Sequence, residues 1–226
     1  MGVTTISETF VFFGNCQILD SKVDALKNGF IGYTYRVVKE KLSNGSEANI
    51  HVFHNVNKRV TIRAHRIDFE YGHNSPQCDF SGFTEFVVDA IQIISAVADL
   101  RAHRVAYNNV EFVEDVKGKV KSATDKLFNF SRVFGSKADE IKIRLNHKTK
   151  IDGEIYNSVI TIEDGSVTDK NTKVKSSVMF INKDINTLID NNNVRFDLLD
   201  SVDYICNMYS ESNNHTGKLL KKLGVR

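Results

Sequence analysis

Apolar and polar positions recur along this chain with two periods, and those periods divide it into strands and helices. Thr5–Phe13 is β-branched and aromatic and predicts a strand ended by Gly14 and Asn15. Asp20 or Ser21 then caps a short helix through Lys27, with Val23, Leu26 and Phe30 as its apolar face. Gly29 sits at its C-terminal end, where a left-handed backbone is tolerated. Tyr33–Leu42 and Ala48–His54 read as strands joined through Asn44-Gly45, a hairpin signal because both residues accept positive φ. Asn55–Lys58 turns the chain into one long strand, Arg59–Tyr71. Val60, Ile62 and Ala64 share one face of it, while Ile67, Phe69 and Tyr71 have the other parity, which predicts a bulge between Ala64 and Ile67. A loop from Gly72 to Asp79 holds Pro76.

Ser81–Leu100 is the most apolar segment. Phe83, Phe86, Val87, Ala90, Ile91, Ile94 and Val97 form a wide stripe at helical spacing, with Glu85, Asp89, Gln92 and Asp99 opposite. His103–Val113 is the next strand, followed by a lysine-rich link and a helix ending near Phe134 with Val120, Thr124, Leu127 and Phe128 inward. In Glu140–Thr149, Ile141, Ile143, Leu145 and His147 alternate with Lys142, Arg144, Asn146 and Lys148, as in a half-buried strand with a wet basic face. Asp152-Gly153 turns into Ile155–Glu163, Asp164–Thr172 reads as a loop, and Val174–Asn182 as a third strand. Beyond Asp190–Asn193 a helix from about Val194 to Tyr209 carries Leu198, Val202, Ile205 and Tyr209, and a basic tail, Lys218–Leu223, follows.

This order of elements predicts an α+β fold: a mostly antiparallel sheet, tandem duplicated βαβββα units, helices packed on one face. The halves are 1–101 and 102–226, as two units or one continuous domain. The tight turns Asn44-Gly45 and Asp152-Gly153 occupy the same slot in each half, as do the helices from Ser81 and Val194.

Composition narrows the picture. The chain has 226 residues, 15 Phe and no Trp, enough to bury a core without disulfides or metals. A net charge of +2 is too near balance to argue for nucleic acid by itself. Cys16, Cys78 and Cys206 are far apart, which argues against a disulfide framework and for a reduced, cytoplasmic setting. No secretory leader, myristoylation signal or membrane-length apolar run is read, so no membrane partner is expected. Abundant Asn, Lys and Ile suggest an AT-rich coding genome, such as a low-GC bacterium or its phage.

The chemistry-bearing words are Arg63-Ala64-His65-Arg66 and Arg101-Ala102-His103-Arg104. If their strands pair, Arg63, His65, Arg66, Arg101, His103 and Arg104 form a partner- or anion-binding surface, because guanidinium forks grip carboxylate and phosphate. The bland alternative is a solvated face with those arginines paired to Asp68, Glu70, Glu111 and Glu114. His51, His54 and His65 lie on neighbouring strands, but His51 and His54 point to opposite faces, so no metal site is expected. Cys206 reads as a core filler and Cys78 as a loop thiol. Asp184 and Asp190 flank a loop and suit helix capping. Lys117, Lys119, Lys121, Lys126, Lys218, Lys221 and Lys222 read as solvated runs. No phosphate-cradling or nucleophile motif occurs, so no catalytic residue and no cofactor is assigned.

The stretch Arg66-Ile67-Asp68-Phe69 before an apolar helix, Arg104-Val105-Ala106-Tyr107-Asn108 after it, Asp184-Ile185-Asn186, and then Leu198, Leu199 and Asp200 carry a resemblance. From Val60 onward the chain resembles a sporadically distributed, uncharacterised family of bacterial and phage proteins. It departs from that family at the N-terminus, which there opens on a Pro-containing strand. The resemblance implies the duplicated fold and no catalytic residue. The expected function is a non-enzymatic protein-interaction module, for instance a defence or counter-defence factor that inhibits a bacterial immune complex. The alternatives are nucleic-acid or nucleotide binding through the arginine-bearing strands, and an enzyme whose site leaves no local signature. The expected partner is another protein, and a homodimer is compatible with this reading.

Overall fold

The computed structural model describes residues 3–43, 45–73, 79–114, 118–136, 140–169, 172–188 and 193–222. The elements run β1 (Val3–Asn15), α1 (Asp20–Gly29), β2 (Thr34–Lys41), β3 (Glu47–Asn55), β4 (Lys58–Arg63), β5 (Arg66–Gly72), α2 (Phe80–Ser95) and β6 (Arg101–Glu114). They continue with α3 (Lys119–Phe128), α4 (Phe130–Phe134), β7 (Lys142–Ile151), β8 (Glu154–Thr168), β9 (Lys175–Thr187), β10 (Phe196–Asp197) and α5 (Val202–Lys222).

The fold is α+β. Among the described residues ten strands form one sheet in the order β2-β3-β4-β5-β1-β6-β9-β8-β7, with β10 added to β6 beside the end of β9, and every pairing among them is antiparallel. The first strands of the two halves, β1 and β6, lie side by side at the centre. Each is flanked by a late strand of its own half, β5 or β9, and each half closes with a long helix, α2 or α5. The element order therefore repeats outward from the β1–β6 pair, within one continuous sheet. The edges are β2 and β7, where Lys39, Lys41, Lys142, Lys148 and Lys150 stand exposed, a charged finish that discourages further strand pairing.

Helices cover one face. Phe83, Phe86, Val87, Ala90, Ile91 and Ile94 of α2 and Ile205 and Met208 of α5 pack with Phe10, Phe12, Phe69, Val105, Tyr107 and Ile185 of the central strands. A second cluster joins Leu219 and Leu220 of α5 to Val113, Ile160, Ile162, Met179 and Ile181. Polar side chains are threaded into this covered face. Tyr107 donates its hydroxyl hydrogen to Glu8, His73 Nε2 lies 2.8 Å from the other oxygen of that carboxylate, and Lys183 lies 2.9 Å from Glu111.

Several local expectations are revised. The long strand Arg59–Tyr71 is a hairpin: Ala64 and His65 turn the chain, and Arg63 pairs with Arg66. The parity switch marked a reversal of direction rather than a bulge, so the first half reads βαββββα. The N-cap of α1 is Leu19, which caps with no side chain, and Asp20 is the first helical residue. Gly29 is set by packing: a Cβ there would meet Ile93 Cγ2 at 2.5 Å. Helix α2 begins one residue early on an Asp79 cap and ends at Ser95. The helix after β6 breaks at Asn129, which has positive φ, and Leu127 is exposed; Val120 lies outside the described side chains. Strand β8 runs on through Asp164–Thr168 because those polar residues still bond to β9 through their backbones. Strand β9 extends to Thr187. Residues 193–201 are not helical; Phe196 and Asp197 pair with β6, and α5 starts only at Val202 and absorbs the basic tail to Lys222. Asp152 and Gly153 do form the tight turn, both at positive φ. Asn44 and Pro76 lie outside the described residues.

The Lys183–Glu111 pair is buried on both sides, with 0% and 8% side-chain exposure. Removing one partner leaves a charge stranded in an apolar layer. Lys183→Ala is expected to lower unfolding free energy by about 3–5 kcal/mol in urea denaturation, and Lys183→Met with Glu111→Leu by clearly less. A loss under about 1 kcal/mol for the single variant contradicts this account.

Candidate functional site

Alternation along each strand sends every second side chain to the face away from the helices. There, cross-strand registers build three rows. Arg63 of β4 stands opposite Arg66 of β5, Arg66 opposite Phe13 of β1, and Phe13 opposite Arg104 of β6. The next row holds Thr61, Asp68, Val11, Ala106 and Asn186, and the third Arg59, Glu70, Thr9, Asn108 and Asp184. A pocket of about 390 Å³ opens over β5, β1, β6 and β9 at these rows, and Arg66, Arg104, Phe13, Asp68 and Asp184 are among its walls.

Asp68 is 2% exposed and holds two arginines. Arg66 grips it as a fork, Nε to Oδ2 at 3.1 Å and Nη2 to Oδ1 at 3.0 Å, and Arg63 donates to the same Oδ2. Phe13 lies between two guanidinium groups, with Arg104 Cζ 3.8 Å and Arg66 Cζ 5.9 Å from its ring centroid. Both fall within reach of the cation–π attraction. Arg104 Nε is buried and has no hydrogen-bond partner among the described residues. Burial pulls the Arg104 pKa down; Asp184 pulls it back up and Arg66 pushes it lower. Glu70 is engaged by Arg59 at 3.3 Å, and Asp184 accepts a hydrogen bond from Asn186.

Of the expected site residues, Arg63, Arg66 and Arg104 come together. The hairpin at Ala64 and His65 makes Arg63 and Arg66 cross-strand partners. His65 is exposed in the β4–β5 turn, where its carbonyl accepts from the Gly14 N–H. Gly14 is required there, since a Cβ would lie 2.0 Å from the Arg101 carbonyl oxygen. His103 is the extra residue where the β1–β6 register slips, and Arg101 lies beyond it, paired with Asp197 at 2.8 Å. These residues are therefore not part of the row.

His51 is buried with Nδ1 2.9 Å from the Tyr35 hydroxyl oxygen, and burial lowers its pKa; His54, three positions on, takes the opposite face, so the strand histidines do not converge. Cys206 is exposed, not a core filler, because α5 turns it away from Ile205 and Met208. Asp184 lies within β9 rather than at a loop, and Glu111 pairs with Lys183 on the covered face. Lys121 pairs with Asp164 at 3.1 Å. Cys78, Asp190 and Lys117 lie outside the described residues.

A second constellation was missed. His147 and Ser158 are cross-strand partners on β7 and β8, and Glu211 and His215 are one turn apart on α5. Ser158 Oγ is 3.2 Å from His215 Nδ1, while Glu211 Oε1 is 3.1 Å from His215 Nε2 and 3.8 Å from His147 Nε2. His147, Ser158 and His215 line a largely apolar cavity of about 470 Å³, with Leu127, Phe128 and Leu145 among its other walls. The signal was present: a two-residue turn at Asp152-Gly153 sets His147 opposite Ser158, and Glu211 and His215 have helical spacing. A helix ending at Tyr209 leaves Glu211 and His215 outside it, whereas α5 runs on to Lys222.

No family model matches the chain, and no curated protein matches it. Among solved structures, the di-domain ARO/CYC StfQ from the steffimycin biosynthetic pathway is similar over 97% of each chain, at 10% identity and a TM-score of 0.23. A likeness of that degree carries no argument about this chain. No helix among the described residues is long and apolar enough to cross a membrane.

Burial raises the Cys16 thiol pKa to about 12, against a smaller lowering effect from the Gly14 backbone. Almost no thiolate forms there at neutral pH, and the thiolate is the nucleophile. Alkylation of the native protein, mapped by peptide, is expected to mark Cys206 promptly and Cys16 only after denaturant is added. Equal labelling of both in the native state contradicts the burial of Cys16.

Proposed function

We propose that the chain is a non-enzymatic protein-interaction module that docks a partner protein on the open face of its sheet, in the defence or counter-defence setting that its sequence resemblance and composition suggest. The observation that carries this reading is the row Arg63, Arg66, Phe13 and Arg104, with Arg104 stacked on the ring and its buried Nε without a hydrogen-bond partner among the described residues. Arginine and aromatic side chains held rigidly at a pocket are the usual anchors of protein interfaces. The arginines are pre-ordered by Asp68 and by the ring, so little side-chain freedom is lost on binding.

Charge around the pocket favours a protein over a nucleic acid. Arg59, Arg63, Arg66 and Arg104 bring +4, and Asp68, Glu70 and Asp184 bring −3, a net +1 over the three rows. Cations gather in the row with Phe13, and Asp184 and Glu70 stand two rows away. A phosphate backbone meets repulsion at that second end. A protein surface that sets a carboxylate against Arg66 and Arg104 and a polar or basic group against Asp184 complements both ends.

Affinity capture from lysate of the source organism, wild type beside Arg66→Ala/Arg104→Ala, at low and high salt, tests the reading. A protein partner retained by the wild type and lost by the variant is expected, with each single variant weakening the isolated complex by about 2 kcal/mol. A partner held equally by both, or nucleic acid that is recovered and released by high salt, overturns it.

A further inference from the structure

We propose that His147, Glu211 and His215 form a binding site for a first-row transition metal ion of the zinc class, with one coordination position left open toward the cavity beside α5.

The three side chains offer ligand atoms that all lie within 4.8 Å of one another. Zinc bound to imidazole and carboxylate at ~2.0–2.1 Å in tetrahedral geometry sets its ligand atoms about 3.3 Å apart. Glu211 Oε1 is 3.1 Å from His215 Nε2 and 3.8 Å from His147 Nε2, so two edges of the triangle bracket that spacing without any movement of the backbone. Two nitrogens and one carboxylate oxygen are the donor set of three-ligand zinc centres, which keep a fourth position for water or substrate.

The surroundings support ligation. Ser158 lies against His215 Nδ1 at 3.2 Å and is 2% exposed. If Nδ1 carries the proton and donates it to the hydroxyl oxygen, Nε2 keeps its lone pair for a metal, the orientation that outer partners of ligating histidines provide. Glu211 is 9% exposed, and among the described residues its carboxylate lies against the two imidazoles and no Lys or Arg. His147 and His215 both line the cavity, and this places the open position there. The site lies on the helix-covered side of the sheet, away from the arginine row, and does not depend on the docking role proposed above.

The full chain is stripped with a chelator and titrated with zinc ion alone by calorimetry, then with cobalt ion, whose visible absorption reports tetrahedral nitrogen and oxygen ligation. Wild type is expected to bind one zinc per chain. His147→Ala, a substitution at a half-exposed edge-strand position that circular dichroism can show to be folded, is expected to weaken binding at least about 100-fold, and Ser158→Ala by about 10-fold. The substitution leaves every cysteine in place. Zinc binding unchanged in His147→Ala therefore overturns the site, as does the absence of stoichiometric zinc binding by wild type; in the latter case Glu211 and His215 are an ordinary ion pair one helical turn apart.

Discussion

Everything in this structure hangs on the pairing of β1 with β6. Val3 to Asn15 lie against Val113 to Arg101, interrupted by two irregularities, one between Thr5 and Ser7 and one between Phe13 and Gly14. That ladder fuses the two halves, and its register decides which side chains face the helices. Phe10, Phe12, Val105 and Tyr107 enter the core, while Phe13 and Arg104 meet on the other side. A slip of one residue would exchange the two sets and bury the arginines. Both irregularities lie toward the ends of the ladder, and at the one beside Gly14 two backbones approach too closely for any side chain.

The two faces of the sheet do different work. On the covered face, several polar groups are matched one against another: Glu8 with His73 and Tyr107, Lys183 with Glu111, and Thr187, whose hydroxyl lies 3.1 Å from the Val105 amide where β9 gives way to β10. Such pairs add little net stability beyond what apolar packing would supply, but a register error would leave each of them unmatched. On the open face the arginines are only partly matched, because one carboxylate, Asp68, serves both Arg63 and Arg66, and Arg104 rests on a ring.

Much of this was legible in the chain itself. The apolar stripe of α2, the tight turn at Asp152-Gly153 and the antiparallel α+β order follow from local periodicity and turn chemistry, which depend on neighbouring residues alone. The misread elements share a different cause. Ala64-His65 carries no glycine or asparagine, so the β4–β5 reversal showed only as a parity change. The polar run after Ile162 remains strand because β9 supplies backbone partners, and Leu198 is buried in a turn rather than on a helix because β10 is drawn to β6. The convergence of Arg66 with Arg104, and of His147 with Glu211, depends on which strands are neighbours and where α5 crosses them, and no local pattern encodes that.

The central position of β1 has a consequence for synthesis. During synthesis β1 precedes both of its sheet neighbours: one edge waits for β5 and the other for β6. Through that interval the nascent chain displays an unpaired backbone edge along Val11–Phe13, a ready template for strand exchange with other chains. Pairings so distant in sequence also form slowly. The middle strand of the sheet is thus made before its partners, and its second side closes only when the second half follows.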